Sequence, residues 1–313
     1  MARSIDDHEK RLAELKKEVT KRDFDLHASV LKNVSELSTE LQSPAVIALA
    51  EHEVIQTIIA FPPQIQRGWH YVPKQALLFT PAGITHLLAS IWPDQEPQVT
   101  CLQGRDLMYM RVTLLLLYGF LEIVAKGEDA PVRLALEFNT VNWYYLWPPL
   151  QRFVEATKVN MPGSKGAYSL STQQTLKTLP RKFSNGLQLY GLLRGEELEE
   201  AAFQASMWKR RLYFFWRPIA ANTLLLLTSH YVVVIQEELN VKQGWIISYI
   251  PRNNIVETQN CPAGPLNELS IQLKREDQSV DYKLKLKRET VEDWHKQWIQ
   301  HDGRWEDLSE QQG

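Results

Sequence analysis

An internal repeat constrains the fold of this chain more than any other feature of its sequence. Segments that align at a shift of 148 residues, with up to three residues of slippage, are Leu77–Thr80 with Leu225–Thr228, Leu121–Ile123 with Leu269–Ile271, and Thr140–Val141 with Thr290–Val291. Because the aligned segments keep the order strand, strand, helix over this distance, the pattern predicts a duplicated unit. Each copy covers about 107 residues, which is an ordinary size for a domain.

Each copy predicts several short strands followed by one helix. Runs of β-branched and aromatic residues alternate with Pro, Gly and Asn, which is typical of successive antiparallel strands. Apolar residues at helical spacing then predict helices over Val141–Thr157 and Val291–Ile299. Thr290 is the predicted N-cap of the second helix, with Asp293 as its capping-box partner.

Changes in composition predict five segments along the chain. These are an N-terminal helical segment (1–50), a first β domain (51–157), a linker (158–193), a second β domain (194–300) and a C-terminal tail (301–313). Apolar residues spaced by three, four or seven from Ile5 to Leu41 predict an amphipathic helix that ends at Pro44. This helix either docks on the rest of the chain or mediates self-association.

The second copy has the more regular strand pattern. Its segments are Leu224–Thr228, Tyr231–Glu237, Gly244–Pro251, Ile255–Glu257, Leu269–Leu273, Tyr282–Leu286 and the helix Val291–Ile299. This order resembles that of bacterial pleckstrin-homology-like domains, and the first copy is similar through Ala76–Thr80 and Gly83–Leu88 but has a long apolar strand at Leu114–Val124. The resemblance implies a mainly β (α+β) fold with two antiparallel β-barrels, each closed by a C-terminal helix, plus the N-terminal helical extension. It carries no invariant functional residue, so it transfers no site.

Charge and cysteine content restrict the partners and the compartment. Lys and Arg number 35 and Asp and Glu 37, so the formal charge of −2 provides no global field for nucleic acid. Cys101 and Cys261 are too few for a disulfide framework and predict a reducing compartment, the cytoplasm, with peripheral membrane contact left open.

Met1–Lys10 lacks the apolar core of a signal peptide, and polar residues interrupt the apolar stretches Met110–Ala125 and Leu212–Ile235. We therefore expect no transmembrane helix.

The sequence carries no recognisable catalytic, cofactor or metal site. It has no glycine-rich loop followed by a phosphate-binding Lys and Ser/Thr, and no Cys and His cluster with metal-ligand spacing. Ser164 lacks the preceding strand that a nucleophile elbow needs, and His295 and His301 are typical of exposed polar positions. We therefore expect a protein that is not an enzyme and uses no cofactor.

Alternating lysines predict an exposed basic strand. Lys283, Lys285 and Lys287 alternate with leucines, so a strand here places three ammonium groups on one face. The basic residues that extend this set are Lys274, Arg275, Arg288 and Lys209–Arg211. The set predicts contact with anionic headgroups or an acidic protein. The alternative is that the lysines protect an exposed strand against edge pairing.

Two aromatic clusters predict further contacts. The residues concerned are Trp143, Tyr144, Tyr145 and Trp147 in the first cluster, and Trp208 and Trp216 in the second. Because so many rings within a few residues cannot all face one core, some of them must pack between the two β domains or bind a partner.

These features together predict a non-catalytic adaptor or scaffold. It would bind an unidentified protein and, through its second β domain, an anionic membrane surface, but no nucleic acid. The alternative is an enzyme or a small-molecule-binding protein with a pocket between the two predicted barrels.

Overall fold

A computed structural model describes residues 5–21, 27–49, 54–66, 70–92, 94–158, 170–211, 215–239, 241, 244–263 and 265–294. Strands predominate over helices, so the prediction of a mainly β chain is confirmed. The chain divides into two compact units. Unit 1 comprises Met1–Leu107, Thr113–Gly127 and Val132–Val159, and unit 2 comprises Met108–Val112, Glu128–Pro131 and Asn160–Gly313.

Unit 1 is built on a five-stranded antiparallel sheet. Its elements are α1 (Ile5–Lys21), β1 (Ser29–Leu31), α2 (Thr39–Ala48), β2 (Thr57–Phe61), β3 (Gln64–Gln66), β4 (His70–Val72), β5 (Gln75–Phe79), β6 (Gly83–Leu88), β7 (Gln98–Gln103), β8 (Leu107–Leu115), β9 (Tyr118–Ala125), β10 (Val132–Asn139) and α3 (Trp143–Glu155). The sheet has the order β1-β2-β5-β6-β7, while β3 and β4 form a separate hairpin and β9 pairs with β10. The middle of β8 belongs to unit 2.

The helix α2 covers one face of this sheet. Leu41 and Ala45 of α2, together with Leu37 just before it, are buried in one apolar cluster with side chains of β2, β5 and β6. The predicted single helix from Ile5 to Leu41 is wrong, because α1 ends at Lys21 and Val30 lies half exposed in β1. Pro44 also lies inside α2 rather than at the end of a helix.

Unit 2 repeats the same order of strands. Its elements are α4 (Leu170–Thr178), α5 (Arg181–Gly186), a π-helical turn (Leu187–Gly191), β11 (Leu198–Gln204), β12 (Met207–Arg211), β13 (Phe215–Ala220), β14 (Thr223–Thr228), β15 (Tyr231–Glu237), β16 (Trp245–Pro251), β17 (Ile255–Ala263), β18 (Leu266–Arg275), β19 (Gln278–Leu286) and α6 (residues 288–294). The strands β11, β14, β15 and β16 are neighbours in one sheet, β12 and β13 form a hairpin, and β17, β18 and β19 form a three-stranded sheet. The helices α4 and α5 lie in the segment that composition marks as a linker, and Thr172 of α4 is buried against Glu200 of β11.

The repeat is visible in the elements and in one hydrogen-bonded turn. The strands β8 and β17 begin and end 148 residues apart, and a 3-10 turn precedes each of them. In unit 1 the Thr80 hydroxyl accepts a hydrogen bond from the Gly83 amide at 3.0 Å. In unit 2 the Thr228 hydroxyl accepts one from the Tyr231 amide at 3.2 Å. Equivalent threonines therefore close the hairpins β5–β6 and β14–β15.

The predicted pleckstrin-homology-like barrels are wrong. The described strands form several open sheets, and none of these sheets closes into a barrel. In unit 2 the 3-10 turn Arg252–Asn254 separates β16 from β17, so these consecutive strands enter different sheets and the hydrogen-bond ladder stops between them. Closure depends on which strands pair, and the alternation of side chains along a strand does not specify its partners.

The last described helix starts earlier than predicted. The Val291 amide donates to the Lys287 carbonyl at 3.1 Å, and α6 begins at residue 288, so Thr290 lies inside the helix and is not its N-cap. The remainder of that predicted helix, the tail 301–313, His295, His301 and Ser164 lie outside the described residues. Among the helices that are described, none is both long and apolar enough to cross a bilayer.

Replacing Thr228 tests the turn that the two units share. The Thr228 side chain is fully buried, and its hydroxyl also donates to Glu196 Oε2 at 2.7 Å. We expect Thr228→Val to lower the free energy of unfolding by about 2 kcal/mol, because the Tyr231 amide loses its acceptor and Glu196 loses a donor. Urea unfolding measures this loss. Thr80→Val is the matched control and should cost about half as much, because Thr80 bonds to the backbone of Gly83 and, among the described residues, to no carboxylate. Equal losses in the two variants would contradict this account.

His86 makes the stability of unit 1 depend on pH. Its ring is buried in β6 and its Nε2 lies 3.2 Å from Oε1 of Gln75, whose Nε2 donates to the Glu137 carbonyl. Burial lowers the pKa of His86 from 6.5 to about 4, so the folded chain keeps the ring neutral. The unfolded chain takes up a proton below pH 6.5, and stability is therefore complete above that pH and falls as the pH drops toward 4.

This dependence predicts a pH effect that His86→Gln removes. Lowering the pH from 7 to about 4.5 should lower the free energy of unfolding by about 2 kcal/mol more in the wild type than in the variant. The glutamine can still donate to Gln75, so the variant keeps the hydrogen bond without the titrating ring. Urea unfolding at the two pH values is the measurement, and the same pH dependence in both proteins would contradict the assignment.

Candidate functional site

Two exposed leucines form the turn between β8 and β9. The sequence predicts an uninterrupted apolar strand at Leu114–Val124, but β8 ends at Leu115 and β9 begins at Tyr118. The side chains of Leu116 and Leu117 are 67% and 62% exposed. Leu116 has a φ of 50°, in the left-handed region that costs a residue with a Cβ about 1 kcal/mol or more. Two-residue hairpin turns usually carry Asn, Asp or Gly at such positions.

The start of α3 holds this turn in place. Thr140 donates its backbone amide to the Leu117 carbonyl at 3.3 Å, and its hydroxyl donates to the Leu116 carbonyl. The Asn139 side chain accepts a hydrogen bond from the Val141 amide at 3.1 Å and so caps the first helical turn. Residues 139–141 therefore bring the leucine turn next to α3.

Two tyrosines of α3 extend the exposed apolar surface. Tyr144 is 80% exposed, Tyr145 is 38% exposed, and their rings meet edge to face at 5.6 Å. Val141 at the start of the helix is 41% exposed. We call this surface the leucine–tyrosine patch; its members are Leu116, Leu117, Val141, Tyr144 and Tyr145, none of which is charged. Sequence reasoning identified the tyrosines but missed the leucines, because four consecutive leucines indicate a strand and not a turn.

The two tryptophans of this predicted cluster, Trp143 and Trp147, pack within unit 1 next to the patch. Trp143 and Trp147 are half-buried and stack on each other at 5.2 Å, and Trp143 also stacks on Phe138 of β10 at 6.2 Å. Stacked rings of this size hold the first turns of α3 against the sheet. Their role is therefore packing within unit 1, while Tyr144 and Tyr145 face solvent.

The second copy shows that the fold does not need leucines at this turn. The residues 148 positions after Leu116 and Leu117 are Gly264 and Pro265, which are common turn residues. The leucines of the first copy therefore lie at positions where a typical turn residue would adopt the backbone conformation at lower cost. A position where an exposed apolar side chain is kept against local backbone preference is a candidate functional position.

The basic residues of β19 are partly neutralised. Lys283 and Lys285 are exposed on one face, but Glu268 of β18 lies directly opposite Lys285 and contacts the Lys283 ammonium group at 3.3 Å. Asp281 is exposed on the same face, and Lys287 lies beyond the end of the strand. The strand therefore presents only two of the three predicted lysines, together with acidic neighbours.

The other predicted basic residues are scattered. Lys274 is exposed near the end of β18, whereas the half-buried Arg275 donates to Asn254 Oδ1 at 3.0 Å. Arg288 pairs with Glu292 at 2.6 Å on the surface of α6. The hydrogen bond and the negative charge of Glu292 raise the pKa of Arg288, so this guanidinium stays charged.

The second aromatic cluster lies on the hairpin β12–β13 of unit 2. Trp208 is 55% exposed and Trp216 is 62% exposed, one on each strand. Lys209, Arg210 and Arg217 of the same hairpin are exposed as well. This hairpin is therefore a second surface with its own chemistry, aromatic and basic.

Unit 1 also contains a pocket of about 360 Å³ between α1, α2 and the hairpin β3–β4. Arg11, Leu15, Tyr71 and Trp92 contribute to its lining, and Lys74 pairs with Glu40 at 2.6 Å on its rim. In the described ranges no three His, Cys, Asp or Glu side chains converge as a metal site would require.

Neither the models of known protein families nor the curated proteins that were compared with this chain gave a match.

Substituting Leu116 tests whether the positive φ at this position lowers the stability of the protein. We expect Leu116→Asn to raise the free energy of unfolding by up to about 1 kcal/mol, because asparagine adopts the left-handed conformation at lower cost. Leu117→Asn is the matched control: it is equally exposed but has no positive φ, so its stability should stay within about 0.5 kcal/mol of the wild type. Thermal or urea unfolding measures both, and a destabilised Leu116→Asn protein would contradict the backbone argument.

Proposed function

We propose that this chain is a non-catalytic adaptor that binds a protein partner through the leucine–tyrosine patch. The observation that carries the proposal is the exposed leucine turn, in which Leu116 has a positive φ while two-thirds of its side chain is exposed to solvent. Contiguous exposed apolar side chains on a protein surface are typical of interaction sites. Backbone strain at an exposed position is also typical of functional sites.

The composition and support of the patch favour a protein as the partner. Tyrosine is enriched at protein interfaces because its ring buries a large area and its hydroxyl still finds a hydrogen bond. The patch is also rigid, since the buried Asn142 side chain accepts a hydrogen bond from the Ala28 amide at 2.7 Å and ties the start of α3 to the segment before β1. A preformed surface loses little conformational freedom on binding.

We place this adaptor in the cytoplasm. Cys101 and Cys261 are both exposed, and neither is joined in a disulfide. Exposed thiols that are not joined in disulfides are typical of proteins in a reducing compartment. The proposed partner is therefore a cytoplasmic protein or the cytoplasmic part of a larger assembly.

Removing two members of the patch should weaken binding strongly without unfolding the chain. The test compares immobilised wild-type chain with a Leu117→Ser/Tyr144→Ser variant in capture from a lysate of the native host, followed by quantitative mass spectrometry. Each exposed anchor contributes about 1–2 kcal/mol to a typical interface, so the purified partner should bind the variant at least about thirtyfold more weakly by calorimetry.

Leu189→Ser provides the matched control. Leu189 is 60% exposed in the π-helical turn of unit 2, so the same loss of an exposed leucine occurs outside the patch. A partner that binds the wild type and the Leu189→Ser protein equally, but not the patch variant, supports the proposal. Equal capture of every protein by all three baits would contradict it.

A further inference from the structure

The hairpin β12–β13 exposes both of its faces. Arg210 lies directly opposite Trp216, and Trp208 lies opposite Pro218, so the two tryptophans share one face. Lys209 lies opposite Arg217 on the other face. Since both tryptophans and all three of these cations are exposed, the part of the hairpin formed by residues 208–210 and 216–217 buries neither face, whereas Ala220 at its base is buried. A two-stranded hairpin with no buried face has little stability of its own in water, so its exposure calls for an external contact.

The charge of this segment has one sign. The sequence from Ala205 to Ile219 contains Lys209, Arg210, Arg211 and Arg217 and no acidic residue. This differs from β19, where Glu268 and Asp281 accompany Lys283 and Lys285. The hairpin, and not the predicted β19 surface, is therefore the strongly basic feature among the described strands of unit 2.

The pairing of Lys209 with Arg217 points to an anionic ligand. Like charges directly opposite each other on neighbouring strands repel and destabilise the pair. An anion that lies against that face removes the repulsion and adds attraction to both cations. The arrangement is thus unfavourable in the free chain and favourable in contact with a negatively charged surface.

We infer that the hairpin docks on an anionic membrane surface. Exposed tryptophans beside lysines and arginines match the headgroup region of a bilayer, where indole rings lie at the interface and cations attract acidic lipids. A single protein partner would cover one face of the hairpin, whereas the headgroup layer surrounds an inserted hairpin and contacts both faces together. The proposal thus uses Trp208 and Trp216 on one face and Lys209 and Arg217 on the other.

The unit 1 hairpin gives a contrast within the same chain. Its strands β3 and β4 lie against α1, and Leu15 of α1 and Tyr71 of β4 line the same pocket. Its described strands, Gln64–Gln66 and His70–Val72, contain no Lys or Arg. The basic character of the β12 and β13 strands is therefore not a requirement of the hairpin itself.

The test is binding of the full chain to vesicles of defined composition. Flotation is measured with pure phosphatidylcholine vesicles and with vesicles that contain about one-third phosphatidylserine, at low salt and at about 0.15 M salt. We expect the wild type to float only with the anionic vesicles and less at the higher salt. Lys209→Gln/Arg217→Gln should lower the partition coefficient about thirtyfold, since each lost cation weakens binding about fivefold. Trp208→Ser/Trp216→Ser should also weaken it and remove the blue shift of tryptophan emission on vesicle addition.

Lys283→Gln/Lys285→Gln is the matched control, because it removes the same charge from β19. It should float as the wild type does, and circular dichroism should show that all variants are folded. The proposal is overturned if the wild type fails to bind anionic vesicles at low salt, if the hairpin variants float equally well, or if only the β19 variant loses binding. Retention on immobilised polyglutamate without any vesicle binding would also overturn it and assign the hairpin to acidic proteins. These outcomes are independent of the leucine–tyrosine patch, which lies in unit 1.

Discussion

The hairpins β5–β6 in unit 1 and β14–β15 in unit 2 are buried on both faces over most of their length, and this two-sided burial determines what the rest of each unit must provide. A strand buried on both faces needs a covering layer on each side. In unit 1, α2 covers one face, and Gln75 reaches the Glu137 carbonyl of β10 from the sheet. The threonine turns satisfy buried backbone amides where these hairpins reverse. Burial therefore comes first, and the polar contacts follow from it.

The sequence predicted the parts of the fold that local side-chain alternation controls. Strands such as Leu225–Thr228 and the helix α3 follow from periodicity, and the shift of 148 residues follows from comparing the chain with itself. The start of α6 could not be predicted from periodicity, because it depends on a residue distant in sequence. The Gln204 side chain accepts a hydrogen bond from the Lys287 amide at 2.6 Å and helps to fix the chain at the first turn of the helix. The prediction of closed barrels was wrong for the same reason, because closure depends on pairing between strands that are distant in sequence.

The two proposed binding surfaces were predictable from the sequence to the same extent. The tyrosines of α3 were visible as an aromatic cluster, but the leucine turn was not, because Thr140 fixes it by hydrogen bonds from 24 residues away in sequence. The alternation of Lys283 and Lys285 correctly placed both on one face of β19. It could not show that Glu268 faces them, because the register of β18 against β19 is set by tertiary structure. The net charge of a strand surface therefore cannot be predicted until the residues on the neighbouring strands are known.

The division of β8 also has a consequence for how the protein is made. Residues Met108–Val112 belong to unit 2 and neighbour β16, which the ribosome adds about 130 residues later. At a synthesis rate of roughly 5–20 residues per second, the middle of β8 leaves the ribosome on the order of ten seconds before its partner strand exists. Met108, Met110 and Val112, which are fully buried in the finished protein, lack this neighbouring strand during that interval. Nascent chains of this protein therefore pass through a stage in which one edge of an apolar strand still lacks its partner.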